Sequence, residues 1–327
     1  MKRSTFLILS AFVFFSGFSQ AQESGQIIET VNSPTARHEC GAVAFDNQLF
    51  LIGGRGIKHV EIFNPKTNSW KKAGKTPFEI HHFQPVVYGN EIYILSAFTG
   101  KFPRETPLEK VWIYNPKDDK WREGPVIPEN RRRGGGGALT VGDKIYVAGG
   151  IIDGHHSGTI PWTDVFDPKT GKWVELSDMP HRRDHTVAVG DDQYMYLLGG
   201  RTTDYHEEDN YGAFMAKTIN KVDRFNFSTG KWDTLAEDLP VATAGAGAVM
   251  IKGKIYYMGG ETGQVAAHNE IQVYGINTRK WEIKGSLERG RHGTQPVVIG
   301  GKMYIAAGSG NKGGGPELSS TEAVALH

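Results

Sequence analysis

The chain has 327 residues, with 37 lysines and arginines against 36 aspartates and glutamates, for a formal net charge of +1. So balanced a chain lacks the basic field that nucleic-acid binding draws on, and its length allows two ordinary domains or one large β domain. A single cysteine, Cys40, excludes an intrachain disulfide, so stability must come from packing.

The first 21 residues read as a secretory leader. Lys2 and Arg3 are followed by an apolar run, Phe6 to Phe18, and then by Ser19-Gln-Ala21, a small-x-small cleavage site. The run is too short to cross a bilayer comfortably. The expectation is a leader over residues 1–21, cleavage after Ala21, and a single exported domain over 22–327, in the periplasm or beyond, with no membrane contact after cleavage.

Beyond the leader, a strand is expected at Gln26-Ile-Ile-Glu-Thr-Val31, and then one unit repeats. Asn64-Pro-Lys-Thr-Asn-Ser-Trp70 returns as Asn115 to Trp121 and as Asp167 to Trp173, then in worn form before Trp232 and Trp281. The tryptophans are 51, 52, 59 and 49 residues apart. A period near 50 marks one structural unit that cannot bury its apolar faces alone. Before each of these turns an apolar run ends in a small-residue doublet: Gly53-Gly54, Ser96-Ala97, Gly149-Gly150, Gly199-Gly200 and Gly259-Gly260; a sixth, Ala307-Gly308, follows the last tryptophan. Six doublets mean six repeats. The runs are apolar on both faces, so each strand is covered on both sides, as in sheets wedged around an axis. The doublets predict close approach of another group to the backbone. The Asn/Asp-Pro turns use proline at the second turn position and Gly or Asn where φ turns positive.

These doublets, the tyrosine-containing strands and the tryptophan after a turn resemble the Kelch-repeat family over roughly residues 26 to 327. The resemblance implies an all-β, six-bladed Kelch β-propeller. The last repeat lacks a tryptophan and ends one strand short, so the ring is expected to be closed by the N-terminal strand completing the last blade. Helix is expected to be negligible.

In such a propeller two sets of loops open on one face. These loops hold ten of the twelve histidines and eleven of the fourteen arginines beyond the leader. Counting back 17 positions from the second doublet residue gives Arg37, Ile80, Arg133, Arg183, Thr243 and Arg291. Four repeats thus place arginine at the mouth of the innermost strand. Two readings stand for any one of them: a bond to backbone carbonyls of a neighbouring blade, or a clamp for an anionic ligand. The long loops of the third and fourth repeats add Trp162, as a wedge or as a sugar platform, and Arg201, Tyr205, His206 and Tyr211. The candidate ligand-binding set is therefore Arg37, His38, His82, Arg133, Arg183, Arg201, Arg291, His292 and Trp162.

The family resemblance extends to exported sialic acid epimerases and polyuronate lyases, and to the central domain of galactose oxidase. It implies Arg183 and Arg201 as carboxylate clamps, His185 as base, and Tyr205 or Tyr211 as acid. No cofactor is expected. No metal is expected either, because adjacent histidines such as His81-His82 and His155-His156 point oppositely on an extended chain. The expected partner is an acidic mono- or polysaccharide, met by a monomer that binds no nucleic acid. The competing reading is a non-catalytic glycan- or protein-binding scaffold.

Overall fold

The computed structural model describes residues 23–326; the expected leader and its cleavage site lie outside the described residues. The architecture is an all-β propeller. Four sheets of four strands follow one another along the chain, each an antiparallel meander. The first runs through Cys40–Phe45, Gln48–Gly53, His59–Asn64 and Ser69–Lys75. Its Trp70 pairs with Phe63 across the outer two strands, and Trp121, Trp173, Trp232 and Trp281 repeat that register opposite Tyr114, Phe166, Phe225 and Tyr274. Among the described residues, helix is limited to two short 3-10 segments, Glu129–Arg131 and Tyr211–Ala216.

Apart from two short hairpins, Phe98–Thr99 with Thr106–Pro107 and Ile151–Asp153 with Ser157–Thr159, the remaining strands form one eight-stranded sheet. Gly247–Ile251, Lys254–Met258, Glu270–Gly275 and Lys280–Ser286 make one meander. Val297–Ile299, Lys302–Ala306 and Thr321–Ala325 make a second, whose outer neighbour is the N-terminal strand Glu23–Ile28. That strand pairs antiparallel with the C-terminal one, from Gly25 opposite Val324 to Ile28 opposite Thr321. It touches Lys280–Ser286 through only two parallel residue pairs.

The core lies between sheets, which is why the strands are apolar on both faces. Leu49, Leu51, Phe63 and Trp70 of the first sheet pack on Val297, Ile299, Tyr304 and Ala306 of the last meander. Phe50, Ile52 and Ile62 face the other way, onto Ile92, Ile94 and Tyr114. The doublets have the close neighbour that their composition predicts. The N–H of Gly54, Gly150, Gly200 and Gly260 donates to the carbonyl of the next repeat's Ile80, Arg183, Thr243 and Arg291, at 2.8–2.9 Å. Gly308 donates likewise to Arg37, joining the last repeat to the first. A Cβ on Gly54 would stand 2.9 Å from the His38 carbonyl oxygen and 3.3 Å from Arg37 Cβ, at a φ of +105°, so only glycine fits.

Candidate functional site: an axial cavity over a histidine cluster

The arginine register resolves first. Arg37, Arg133, Arg183 and Arg291 are buried, and each turns into its own sheet. Arg183 donates from Nη1 to the carbonyls of Gly199 (3.1 Å) and Lys221 (2.7 Å) and from Nη2 to Asp223 (2.7 Å). Arg37 binds the carbonyls of Gly53 and His59 and the Glu61 carboxylate. Arg291 binds the carbonyls of Ala307 and Ser320 and the Glu322 carboxylate. Arg133 binds the carbonyls of Gly149 and Val147 and the Asp164 carboxylate. The acids occupy one register too: Glu61, Asp164, Asp223 and Glu322 each pair with the residue two before the doublet, Leu51, Val147, Leu197 and Ile305. Where the arginine is absent, its partner has changed with it. Ile80 goes with Trp112, and Thr243 goes with Gln272, whose amide bridges the Val241 backbone instead. Thr243 Oγ1 still reaches the doublet carbonyl of Gly259. Each arginine is thus a clasp within its own sheet, and the assignment of these four to ligand binding is corrected: their donors meet carbonyls and carboxylates under a buried surface.

Two residues beyond each register position stand Glu39, His82, Gly135, His185, Gly245 and Gly293. All six have left-handed backbone, with φ between 51° and 67°. Backbone bonds link them in a closed circle. His82 N donates to Glu39 O, Gly135 N to His82 O, Thr186 N to Gly135 O, Gly245 N to His185 O, Gly293 N to Gly245 O, and Cys40 N to Gly293 O. Glycine is the default at such a φ, and a side chain there costs about 1–2 kcal/mol. Glu39, His82 and His185 hold it regardless, which points to work for their side chains.

Above this circle opens a cavity of about 540 Å³ to which every repeat contributes. Glu39, His82, His155 and Glu261 stand at its buried end, with Arg201 beside them; Lys101 and Phe102 are exposed at its edge. His82, His155 and His185 each bring one ring nitrogen to within 4.8 Å of the others'. Every ring is held from behind. Asp184 accepts from His185 Nδ1 at 2.5 Å, Glu105 accepts from His155 Nδ1 at 2.9 Å, and His82 Nδ1 lies 2.6 Å from His81 Nδ1. Burial, then the neighbouring rings of His81, His155 and His185, keep His82 well below the ordinary imidazole value. Burial also lowers His155, and with the Arg55 charge it pushes His81 down to about 4. Burial alone would raise Glu39, but His292, His185 and His38 outweigh it and hold the carboxyl low. His81, His82 and His155 are thus pushed toward the neutral form, beside a carboxyl at Glu39 held in the ionised one.

The other expected residues scatter. His38 lines the cavity, its Nδ1 2.7 Å from Glu317. Arg201 lines it as well and clasps Glu261. His292 is buried, with Nε2 at 2.9 Å from the carbonyls of Asn311 and Gly313. Trp162 lies outside the cavity lining, with the Arg131 guanidinium over one face of its ring at 4.3 Å. His185 lies in the circle below the cavity rather than on its wall, bonded to Asp184 and 3.1 Å from His155, which removes it as an exposed base. Tyr205 is 40% exposed and donates to Glu207 on the surface. Tyr211 donates to the His155 carbonyl and props the third-repeat loop. Neither tyrosine lines the cavity, so neither is placed as an acid. Sequence reasoning missed Glu39, Glu105, Asp184 and Glu261. One signal was available: the position two beyond the register arginine is glycine in three repeats and charged or imidazole in the other three.

The family model described as Attractin/LZTR1 beta-propeller matches residues 12–265. Kelch-like protein terF of Aspergillus terreus is 27% identical over 295 residues, covering 83% of this chain and 61% of that protein. Kelch-like protein 40 of Xenopus tropicalis is 28% identical over 217 residues, 64% of this chain and 34% of that protein. The chain thus spans less than two thirds of the length of these curated relatives. The solved structure of YjhT superposes with a TM-score of 0.72 at 14% identity, over 90% of this chain and 97% of that one, a likeness of fold.

Proposed function

Because this chain belongs to the Attractin/LZTR1 family of β-propellers, of Kelch type, we propose that it is a ligand-binding propeller whose axial cavity takes a small acidic carbohydrate. The observation that carries this reading is the cavity edge. Phe102 is 53% exposed there, beside Lys101 and Arg55 and above the buried Glu39 and Glu261. An exposed aromatic face with donors and acceptors on either side suits a polyhydroxylated ring, and the lysine suits its carboxylate. The clamp thus moves from the arginine register to Lys101, Arg55 and Arg201. Epimerase or lyase chemistry would need a base that reaches the cavity, and His82 and His155 stand in for His185 in that role.

The competing scaffold reading puts a protein or glycan on the same face without turnover. Calorimetric titration with glucuronate, galacturonate, N-acetylneuraminate and glucose separates them, together with an ultraviolet screen of uronate polysaccharides for lyase product. Saturable binding of an acidic sugar, weakened by salt and lost in Lys101→Ala and Phe102→Ala, supports the carbohydrate reading. Glucose binding as well as the acids, or no binding at all, would overturn it.

We also read the eight-stranded sheet as two blades, giving six in all, with Glu23–Ile28 as the outer strand of the last. The antiparallel pairing with Thr321–Ala325, the two-pair contact to Lys280–Ser286 and the six-membered circle of backbone bonds support that count. Export of a monomer after cleavage at Ala21 completes the proposal. N-terminal sequencing of the protein recovered outside the cytoplasm checks it; an intact Met1 there would refute cleavage.

A further inference from the structure

The histidine cluster has a feature that sugar binding does not use. Carboxylates accept hydrogen bonds only, so Asp184 and Glu105 require the proton on Nδ1 of His185 and His155. Asp184 also accepts from Thr159 Oγ1 and Thr203 Oγ1, as an ionised carboxylate does. With Nδ1 holding the only proton of each ring, both Nε2 atoms would be bare, yet they stand 3.1 Å apart. In that state two lone pairs face each other. The third ring follows the same logic. His81 Nε2 lies 3.1 Å from the Gly100 carbonyl and 3.3 Å from Arg55 Nη1; in the tautomer that donates to Gly100, His81 Nδ1 accepts from His82 Nδ1 at 2.6 Å. In that tautomer His82 Nε2 carries no proton; it is buried, makes no hydrogen bond and lies 3.2 Å from Glu39 Oε2. One ring nitrogen from each of three histidines thus converges in one buried spot, within 4.8 Å of the other two.

We propose that His82, His155 and His185 bind one divalent first-row transition-metal ion through their Nε2 atoms, with the cavity and Glu39 on its remaining side. A cation turns the mutual repulsion of the lone pairs into shared attraction. Imidazole suits zinc, copper, iron and nickel, and ligands at about 2.0–2.1 Å around zinc lie roughly 3.3 Å from one another, close to the His155–His185 spacing. The hydrogen-bonded carboxylates behind His155 and His185 are the arrangement that fixes tautomer and direction in metal-bound histidines. It also accounts for two side chains, His82 and His185, at left-handed positions where the circle otherwise uses glycine. Adjacent His81 and His82 do not point oppositely, since their Nδ1 atoms meet at 2.6 Å. In the proposed site each pair sends one member to meet a histidine of a third loop.

The experiment involves no carbohydrate, so its outcome is separate from the sugar reading. The purified chain is stripped with a chelator, loaded with zinc or cobalt(II), and passed through gel filtration. Metal is counted by mass spectrometry, and the cobalt form is recorded in the visible. The expected result is one equivalent per chain, intense d–d bands of low-coordinate cobalt, and a zinc-dependent rise in melting temperature. His155→Ala and His185→Ala should weaken zinc by more than about 100-fold, and Glu105→Gln by roughly 10–100-fold. His156→Ala and His181→Ala should change nothing. Elution of the wild-type chain without zinc, or undiminished binding in folded His155→Ala, overturns the proposal, the first result meaning that a proton shared by His155 and His185 relieves the contact. Should the variants not fold, cobalt bands in the wild-type chain sustain the site and their absence defeats it.

Discussion

Replacing Arg183 by alanine separates the two readings of the arginine register. Both members of its pair with Asp223 have fully buried side chains, at 0% exposure. The substitution removes the 2.7 Å ion pair and the donations to Gly199, Lys221 and His181 carbonyls. Asp223 keeps only His181 Nδ1 at 2.9 Å and Thr234 Oγ1 at 2.8 Å. Deleting one partner of a buried pair costs about 3–5 kcal/mol, because a charge is left uncompensated. With an unfolding entropy of about 2.1 cal/mol/K per residue over about 300 residues, that lowers the melting temperature by about 5–8 °C. Arg183→Met combined with Asp223→Leu removes both charges and should recover most of the loss. The chain contains that exchange already, in Ile80 beside Trp112 of the second repeat. Scanning calorimetry gives the melt, and titration of the folded variant with an acidic sugar gives affinity. The expected pattern is a lowered melt with unchanged affinity. An unchanged melt with lost affinity would refute the clasp and restore Arg183 to the ligand.

Deleting residues 23–32 removes the pairing with Thr321–Ala325 and the Val31 bonds to Asn68 and Trp70, so the melt should drop by more than 10 °C; an unchanged melt would sink the closure. Cys40 is 1% exposed, and burial pushes its thiol up to about 11, so a thiol reagent should label the native chain only after denaturation. Burial would raise the Glu261 carboxyl, but His292 and Arg201 hold it well below the ordinary range. Its stabilisation is therefore full above a pH of about 4.3 and fades as pH falls through the lower folded value. Glu261→Gln should be less stable at pH 7 and flatten the acid limb of melting temperature against pH; an unchanged limb counts against the pairing. Trp162→Ala should lower the melt by a few degrees through the lost Arg131 contact, and leave sugar affinity alone, whereas Phe102→Ala should do the reverse.

Much of the architecture was legible because repetition is a local signal. The Asn/Asp-Pro turns, the paired tryptophans and the doublets each report a backbone requirement, and such requirements survive in a linear string. Even the clasp was half visible, as an arginine recurring in register. Its partner, at Glu61, Asp164, Asp223 and Glu322, recurs in register too, and reading both columns together would have shown that they change together. The histidine cluster carries no such mark. His82 leads an inner strand, His185 leads another two repeats on, and His155 sits at the turn of a hairpin, Ile151–Asp153 with Ser157–Thr159.

By itself, then, the order of residues determined the repeat, the strand-and-turn grammar, and the covering of each strand on both faces, since turn chemistry and apolar periodicity act over a few residues. Only the tertiary structure decided which polar side chains meet. Curling the repeats around one axis turns arginines inward to their own carbonyls and brings three imidazoles from separate loops into one buried space. Distance across a ring has no counterpart in distance along a chain.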